Sequence, residues 1–236
     1  MHSCGPLCSE CRILRLVSRW LNTSSSITCW SRKLRIGLLT SFSVEDQMLL
    51  KLIEEASCRP SAWAVNTNKL FTEVLQLITS WCLSVGWRLT VKFPHLAWAA
   101  CEAVSRGDVY SSFAARLDCC KLRKLLCVSG LSCFDVWIAG VRCAHSEARQ
   151  TFETVQWDRR SRGAKLCPIA LWSCEDVLDG AFSMAVTYNV LHDVGYKSVG
   201  CLPCTRAVRS NEAARAGRWW WERAELAVDE CGLHVA

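Results

Sequence analysis

The sequence predicts an α/β fold, a mainly parallel sheet with flanking helices and an irregular C-terminal tail. Two observations carry that expectation. Short apolar runs alternate with stretches of helical periodicity, the pattern of successive βαβ units. Breakers then crowd toward the end of the chain, at Gly200, Pro203 and Gly217, where regular structure is not expected.

Residues 35–40, Arg-Ile-Gly-Leu-Leu-Thr, read as a short buried strand. Residues 44–56 place apolar side chains at helical spacing and carry Glu45 and Asp46 in the first turn, which favours a helix start. Residues 61–65 form the second strand and 69–87 the next helix. A third strand over 89–93 stops at Pro94. Helices are expected over 97–105 and from Cys119 to Val128, a fourth strand over 136–139 and a fifth over 151–157. The N-terminal residues 1–30 are cysteine- and serine-rich and read as a poorly determined segment with a helix near 11–20. The α/β domain spans 31–200 and the functional loop and tail 201–236. In such sheets ligands bind beyond the carboxyl ends of the strands. Three polar loops are expected there, at 40–46, 66–69 and 140–149.

The 236 residues can fill one core, and 51% hydrophobic against 21% charged residues marks a globular chain. A net charge of +6 without a long basic run suits a focused site for an anionic small molecule and does not require nucleic acid. No apolar run is long enough for a membrane span, and the N-terminus lacks the pattern of a secretory signal. Seventeen cysteines in such a chain imply a reducing cytoplasm with most thiols free.

Five cysteines have positions that suggest chemistry. Cys119 and Cys120 are adjacent, so a disulfide between them would be badly strained. Cys201 and Cys204 form Cys-Leu-Pro-Cys. Four thiolates on two short segments can bind zinc or an iron–sulfur cluster, although a Cys-Cys pair is unusual for zinc. Cys231 sits near the chain end with His234 three residues on and Arg215 and Arg218 upstream. A thiol on a terminal segment suits a nucleophile that enters a pocket and leaves, and neighbouring positive charge favours the reactive thiolate. Lys124 follows Cys120 by four residues, one helical turn along the same face. Arg142, Arg149, Arg215 and Arg218 are candidate anion clamps, because guanidinium forks match phosphate and sulfate oxygens. Trp219, Trp220 and Trp221 are expected to pack the base of the tail onto the domain.

These residues together resemble the assimilatory adenylyl-sulfate reductases of the iron–sulfur type, within the 3′-phosphoadenylyl-sulfate reductase family. The likeness lies in Cys119-Cys120-Lys-Leu-Arg123-Lys124, Leu191-His192-Asp193, Gly195-Tyr196, Gly200-Cys201-Leu-Pro-Cys204-Thr-Arg206, Arg215-Ala-Gly-Arg218-Trp-Trp-Trp-Glu and Glu-Cys231-Gly-Leu-His. It implies an adenine nucleotide alpha-hydrolase-like fold and a [4Fe–4S] cluster on Cys119, Cys120, Cys201 and Cys204. It also implies attack of Cys231 on adenylyl sulfate to give AMP and an S-sulfocysteine. A thioredoxin or glutaredoxin-like dithiol would then release sulfite, and a homo-oligomer is a family expectation. Ser41 and Phe42 fall in the family's nucleotide loop, and His234 either positions the thiol or is solvated.

Four positions depart from the family pattern. Ser43 and Asn68 replace glycines, Asn66 replaces an aspartate and Cys143 replaces an arginine. Ser43, Asn66 and Cys143 motivate a second expectation, a relative that binds nucleotide and cluster without turnover. Cys4, Cys8 and Cys11 have the spacing of radical S-adenosylmethionine enzymes, but they precede any strand that could present them.

Overall fold

The computed structural model describes residues 35–55, 59–84, 86–95, 108–146 and 149–222. The segment 1–30, the helix expected over 97–105, Cys231 and His234 lie outside the described residues. The described strands are β1 (Ile36–Thr40), β2 (Ser61–Val65), β3 (Leu89–Lys92), β4 (Val136–Ala139), β5 (Val155–Asp158) and β6 (Gly163–Leu166). The described α-helices are α1 (Val44–Glu55), α2 (Thr72–Ser84), α3 (Phe113–Cys120) and α4 (Cys174–Ser183). One sheet holds all six strands in the order β3-β2-β1-β4-β6-β5. Its pairings are parallel except at the edge, where β5 runs antiparallel to β6.

Alternation along each strand divides the core. Leu38, Ala62, Ala64, Val136 and Ile138 face Leu49 and Ile53 of α1 and Val74, Ile78 and Trp81 of α2. Their neighbours Leu39, Trp137 and Ala139 point to the other face and pack with Leu131, Phe134 and Phe152. Both faces are covered, which is why β1 and β4 read as continuous apolar runs rather than alternating ones. A third cluster joins Met48 and Leu52 of α1 to Val177 and Ala181 of α4.

The chain leaves β1 toward β2 and β3, then returns to place β4 on β1's other side. The direction of winding therefore changes between β1 and β4. A crevice opens outside the carboxyl ends of the strands at such a point. Here it lies between the loop entering α1 and the loop leaving β4.

Several expected elements shift or were missed. The fifth strand is confined to β5, an antiparallel edge, and β6 was not anticipated. Its hairpin turn, Arg159-Arg160-Ser161-Arg162, lacks an Asn-Gly signal; Arg162 itself takes the left-handed conformation (φ 55°) that favours glycine. Helix α4 was also missed, although Ser173 and Asp176 form a capping box at its start. The helix expected from Cys119 onward begins earlier, at Phe113. Its α-helical part ends at Cys120, and a π-helical turn over Lys121–Leu125 follows. Among the described residues no helix is long and apolar enough to cross a membrane.

Lys165 of β6 is an exception to the apolar interior. It is 3% exposed, and its ammonium lies 4.3 Å from the Phe152 ring centre and 5.1 Å from that of Trp137. Burial outweighs these contacts and brings its pKa down to about 8 from the ordinary 10.5. Below about pH 8 the folded protein therefore bears the full cost of the buried amine, and that cost fades as pH rises toward 10.5. Lys165→Met is expected to stabilise the fold at pH 7 by up to about 3 kcal/mol. The gain should shrink as pH rises from 8 to 10, read from paired denaturant titrations of variant and parent.

Candidate active site

The loop between β1 and α1 is shaped by Asp46. Its Oδ2 accepts from the Ser41 amide (2.6 Å) and the Ser41 hydroxyl (2.8 Å). Phe42, 1% exposed, takes a left-handed backbone (φ 59°), and its amide donates to Thr40 Oγ1. The residue needing unusual backbone freedom is thus Phe42. Ser43, which stands for an expected glycine, keeps negative φ and accepts the Gln47 amide at its carbonyl as α1 begins. Asn68 does occupy the left-handed region (φ 59°), which asparagine tolerates, and its amide donates to Asn66 Oδ1 at 2.9 Å. An amide oxygen serves that turn as a carboxylate would.

Loops at the carboxyl ends of β1, β2 and β4 enclose a cavity of about 160 Å³. Its apolar wall includes Leu39, Phe42, Ala64, Leu70, Val74 and Ile78. Lys124, Arg149, Lys197, Arg215 and Arg218 supply cationic lining, while Ser41, Glu45, His145 and His192 add other polar groups. An apolar slot beside a cationic rim suits a nucleotide base joined to an anionic group.

Arg142 is placed differently from the clamp role expected of it. Its Nη2 and Nε donate to Glu45 Oε1 at 2.8 and 3.2 Å, and its Nη1 to the Trp172 carbonyl at 3.4 Å. The pair is nearly sealed, with side chains 4% and 5% exposed, and Arg142 does not line the cavity. Burial pushes the Glu45 pKa up; the charge of His145, when that ring is protonated, and the paired Arg142 guanidinium pull it down, for a net lowering. Cys143, which stands where a further arginine was expected, directs its Sγ to the Phe152 carbonyl instead (3.2 Å).

The four site cysteines are buried on two segments that meet. Cys119 and Cys120 close α3. Cys201 caps the start of a 3₁₀ turn over Leu202–Cys204, and Cys204 is its last residue. Cys120, Cys201 and Cys204 share one cluster with Val109 and Trp219, and Cys119 is equally buried. Arg123 ties the π-helical turn to the loop after β2 by donating to the Thr67 carbonyl (2.9 Å), and Thr67 Oγ1 lies 3.2 Å from Cys201 Sγ. Burial, with Cys201 and Cys120 nearby, raises the Cys204 pKa to about 11, against the pull of Lys124 and Arg218. Lys124 thus acts on the cysteines while lining the cavity. Among the described residues no three His, Cys, Asp or Glu side chains meet closely enough to share a single metal ion.

Trp219 joins the cysteines to the arginines. It is 4% exposed, has a left-handed backbone (φ 47°), and packs against the guanidiniums of Arg116 (4.4 Å), Arg218 (4.7 Å) and Arg215 (5.9 Å). Gly200 permits this packing, since a side chain there would meet the Arg218 guanidinium. Trp221 packs on Tyr110 at 4.4 Å, but Trp220 is 52% exposed, so the expected packing role does not extend to all three rings. Arg116, wholly buried, forms a two-pronged pair with Glu222 at 2.7 Å on each prong.

Sequence reasoning passed over three cavity residues. Glu45 lies in the loop 40–46 and carries a helix-start signal, His145 lies in the loop 140–149 and His192 in Leu191-His192-Asp193, and none of the three has a feature that assigns it a role. His192 Nε2 is buried with no hydrogen-bond partner among the described residues, and burial lowers its pKa. No local pattern distinguishes such histidines from satisfied core ones.

Comparison with known proteins gives a consistent picture. Residues 35–207 match the family model described as the phosphoadenosine phosphosulfate reductase domain. Adenosine 5′-phosphosulfate reductase of Allochromatium vinosum is 37% identical over 203 residues, covering 84% of this chain and 78% of that protein. The protein of the same name from Sinorhizobium fredii is 34% identical, covering 86% and 81%. Among solved structures, phosphoadenylyl-sulfate reductase from Candida auris superposes with a TM-score of 0.62 at 18% identity, over 88% of this chain and 99% of that one. FMN adenylyltransferase from Candida glabrata does so at 0.61 and 11% identity, over 94% and 76%. These two likenesses speak to the fold alone.

Glu222→Ala would leave the Arg116 charge buried without its carboxylate. The expected cost is about 3–5 kcal/mol of stability, measured by chemical denaturation. The double variant Arg116→Met/Glu222→Leu should recover most of that loss.

Proposed function

The chain belongs to the phosphoadenosine phosphosulfate reductase family, and from that membership we propose that it reduces adenylyl sulfate to sulfite and AMP in sulfate assimilation. The observation that carries the reading is the contiguity of an apolar-walled, cation-lined slot with four buried cysteines, joined through Trp219 and Lys124. Relatives at 32–37% identity are named for adenosine 5′-phosphosulfate, which supports the unphosphorylated nucleotide as substrate.

In this mechanism the adenosine occupies the apolar slot, and Lys124, Arg149, Arg215 and Arg218 neutralise the phosphosulfate. The Cys231 thiolate attacks the sulfur. A new S–S bond forms, the S–O bond to phosphate breaks, and AMP departs with the electron pair. The product on the enzyme is an S-sulfocysteine. A thiolate of thioredoxin or a glutaredoxin-like donor then attacks the Cys231 sulfur and expels sulfite. Its second thiol resolves the mixed disulfide, leaving the donor oxidised and Cys231 reduced. Cys231 follows Glu222 by nine residues, a length that extends to roughly 30 Å, ample for a tail rooted beside the cavity.

Cys119, Cys120, Cys201 and Cys204 are the residues that would hold a [4Fe–4S] cluster. The donors fit: four soft thiols, each able to take a different iron, which does not require them to converge on one ion. Trp219 packs in the same cluster as Cys120, Cys201 and Cys204, and its buried Nε1 hydrogen has no acceptor among the described residues, a lack that a sulfur acceptor would relieve. When bound, the cluster would contribute structure and a local field beside the phosphosulfate. The contrasting reading, a relative that binds without turnover, loses support from two of its grounds, because Ser43 needs no glycine backbone and Asn66 completes its turn.

Incubation with adenylyl sulfate and no dithiol donor should place a sulfonate on the Cys231 peptide, seen by mass spectrometry, with one AMP released per modified chain. Cys231→Ser should abolish both. AMP release persisting in that variant at the parent rate would refute the mechanism. Protein purified without oxygen is expected to contain iron and acid-labile sulfide in equal amounts, and Cys120→Ala to lose both.

A further inference from the structure

His145 stands between the one buried carboxylate paired with Arg142 and a cationic wall of the cavity. Its Nε2 lies 3.3 Å from Glu45 Oε1, and its Nδ1 lies 3.4 Å from Arg149 Nη1. The side chain is 11% exposed and itself lines the cavity. A carboxylate can only accept and a guanidinium can only donate. The two contacts are satisfied together by one state of the ring: neutral, with the proton on Nε2 directed to Glu45 and the Nδ1 lone pair directed to Arg149. An imidazolium or the other neutral tautomer would set an Nδ1–H against the Arg149 N–H, and the latter would also turn an unprotonated Nε2 toward the Glu45 carboxylate.

The surroundings favour that state. Glu45 on α1 draws a proton toward the ring, but burial and the guanidiniums of Arg142, Arg149 and Arg215 oppose it more strongly and bring the pKa down to about 4. The imidazole is therefore neutral throughout the neutral range. Arg142 already saturates much of Glu45, so Glu45 does not reach Arg149 directly; the ring transmits its orientation across the gap.

We propose that His145 is a positioning residue for anion binding, holding the Arg149 guanidinium toward the cavity through its Nδ1 lone pair while its Nε2 faces the Glu45 carboxylate. The identity of the anion as a phosphosulfate rests on the function proposed above, but the arrangement serves any nucleotide with two linked anionic groups. Glutamine can reproduce both contacts, because its amide has one accepting and one donating end. Leucine fills the space and reproduces neither.

The test compares the parent with His145→Gln and His145→Leu. ADP, whose terminal phosphate stands in for the sulfonate and does not react, is the binding probe, measured by calorimetry. His145→Leu is expected to weaken ADP about tenfold or more and to raise KM for adenylyl sulfate similarly, with kcat changed far less. His145→Gln should restore both. Equal ADP affinity in the parent and His145→Leu, or a glutamine variant as weak as the leucine one, would overturn the proposal whatever the reductase assay gives. A parent that binds ADP in this His145-dependent way yet forms no sulfite would instead refute the proposed activity alone. Nitrogen-15 spectra of the parent, with His145→Gln assigning the signal, give a reading that needs no destabilised variant. They should show a neutral ring protonated at Nε2 at pH 7, with Nδ1 shifting when ADP binds; an imidazolium or an Nδ1-protonated ring would overturn the proposal.

Discussion

The Glu45 carboxylate is the constraint on which the crevice depends. It comes from the first turn of α1, yet its partners Arg142 and His145 follow β4. The ion pair therefore clamps together the two loops that diverge at the change of winding. Without a negative charge there, burying Arg142 beside Arg149 and Arg215 would be strongly unfavourable, since cations in a poorly solvated site repel with little screening. With it, one arginine is neutralised inside the protein, while Arg149, Arg215 and Arg218 line the cavity. Charge is thus divided between a structural pair and a binding surface.

A second junction works by the same logic at the far side of the slot. Trp219 offers its ring to three guanidiniums while its edge reaches the cysteine cluster. The ring face attracts the cations, and the buried Arg116–Glu222 pair absorbs one of them completely. Thr67 and Arg123 then connect the loop after β2 to both cysteine segments. Nucleotide slot, cysteines and tail root form one packed unit, so a change in any of them is felt by the others.

The central strands were legible because a strand buried on both faces must be apolar throughout. β2 and β4 fall at their expected boundaries, and β1 differs by one residue. β6 was illegible for the opposite reason: it is four residues long and carries Lys165, whose charge a local reading assigns to the surface. The cysteines, Lys124 and the arginines could be nominated from residue type and motif. Their division of labour could not. Arg142 and Arg149 look alike in sequence, and only the position of Glu45, 97 residues away from Arg142, separates the paired arginine from the lining one. At Ser43 the backbone needs no glycine, because the left-handed conformation falls on Phe42, and at Asn66 an amide oxygen accepts the hydrogen bond of the turn.

The sequence by itself determined the α/β class, the family and the residue types that can meet an anion or a soft metal. These follow from periodicity and chemistry carried within short segments. The tertiary structure decided which charges cancel, which tautomer His145 adopts and which rings pack on cations. Those outcomes depend on distances between residues far apart in the chain, and electrostatics in a dry interior changes sharply over a few ångströms.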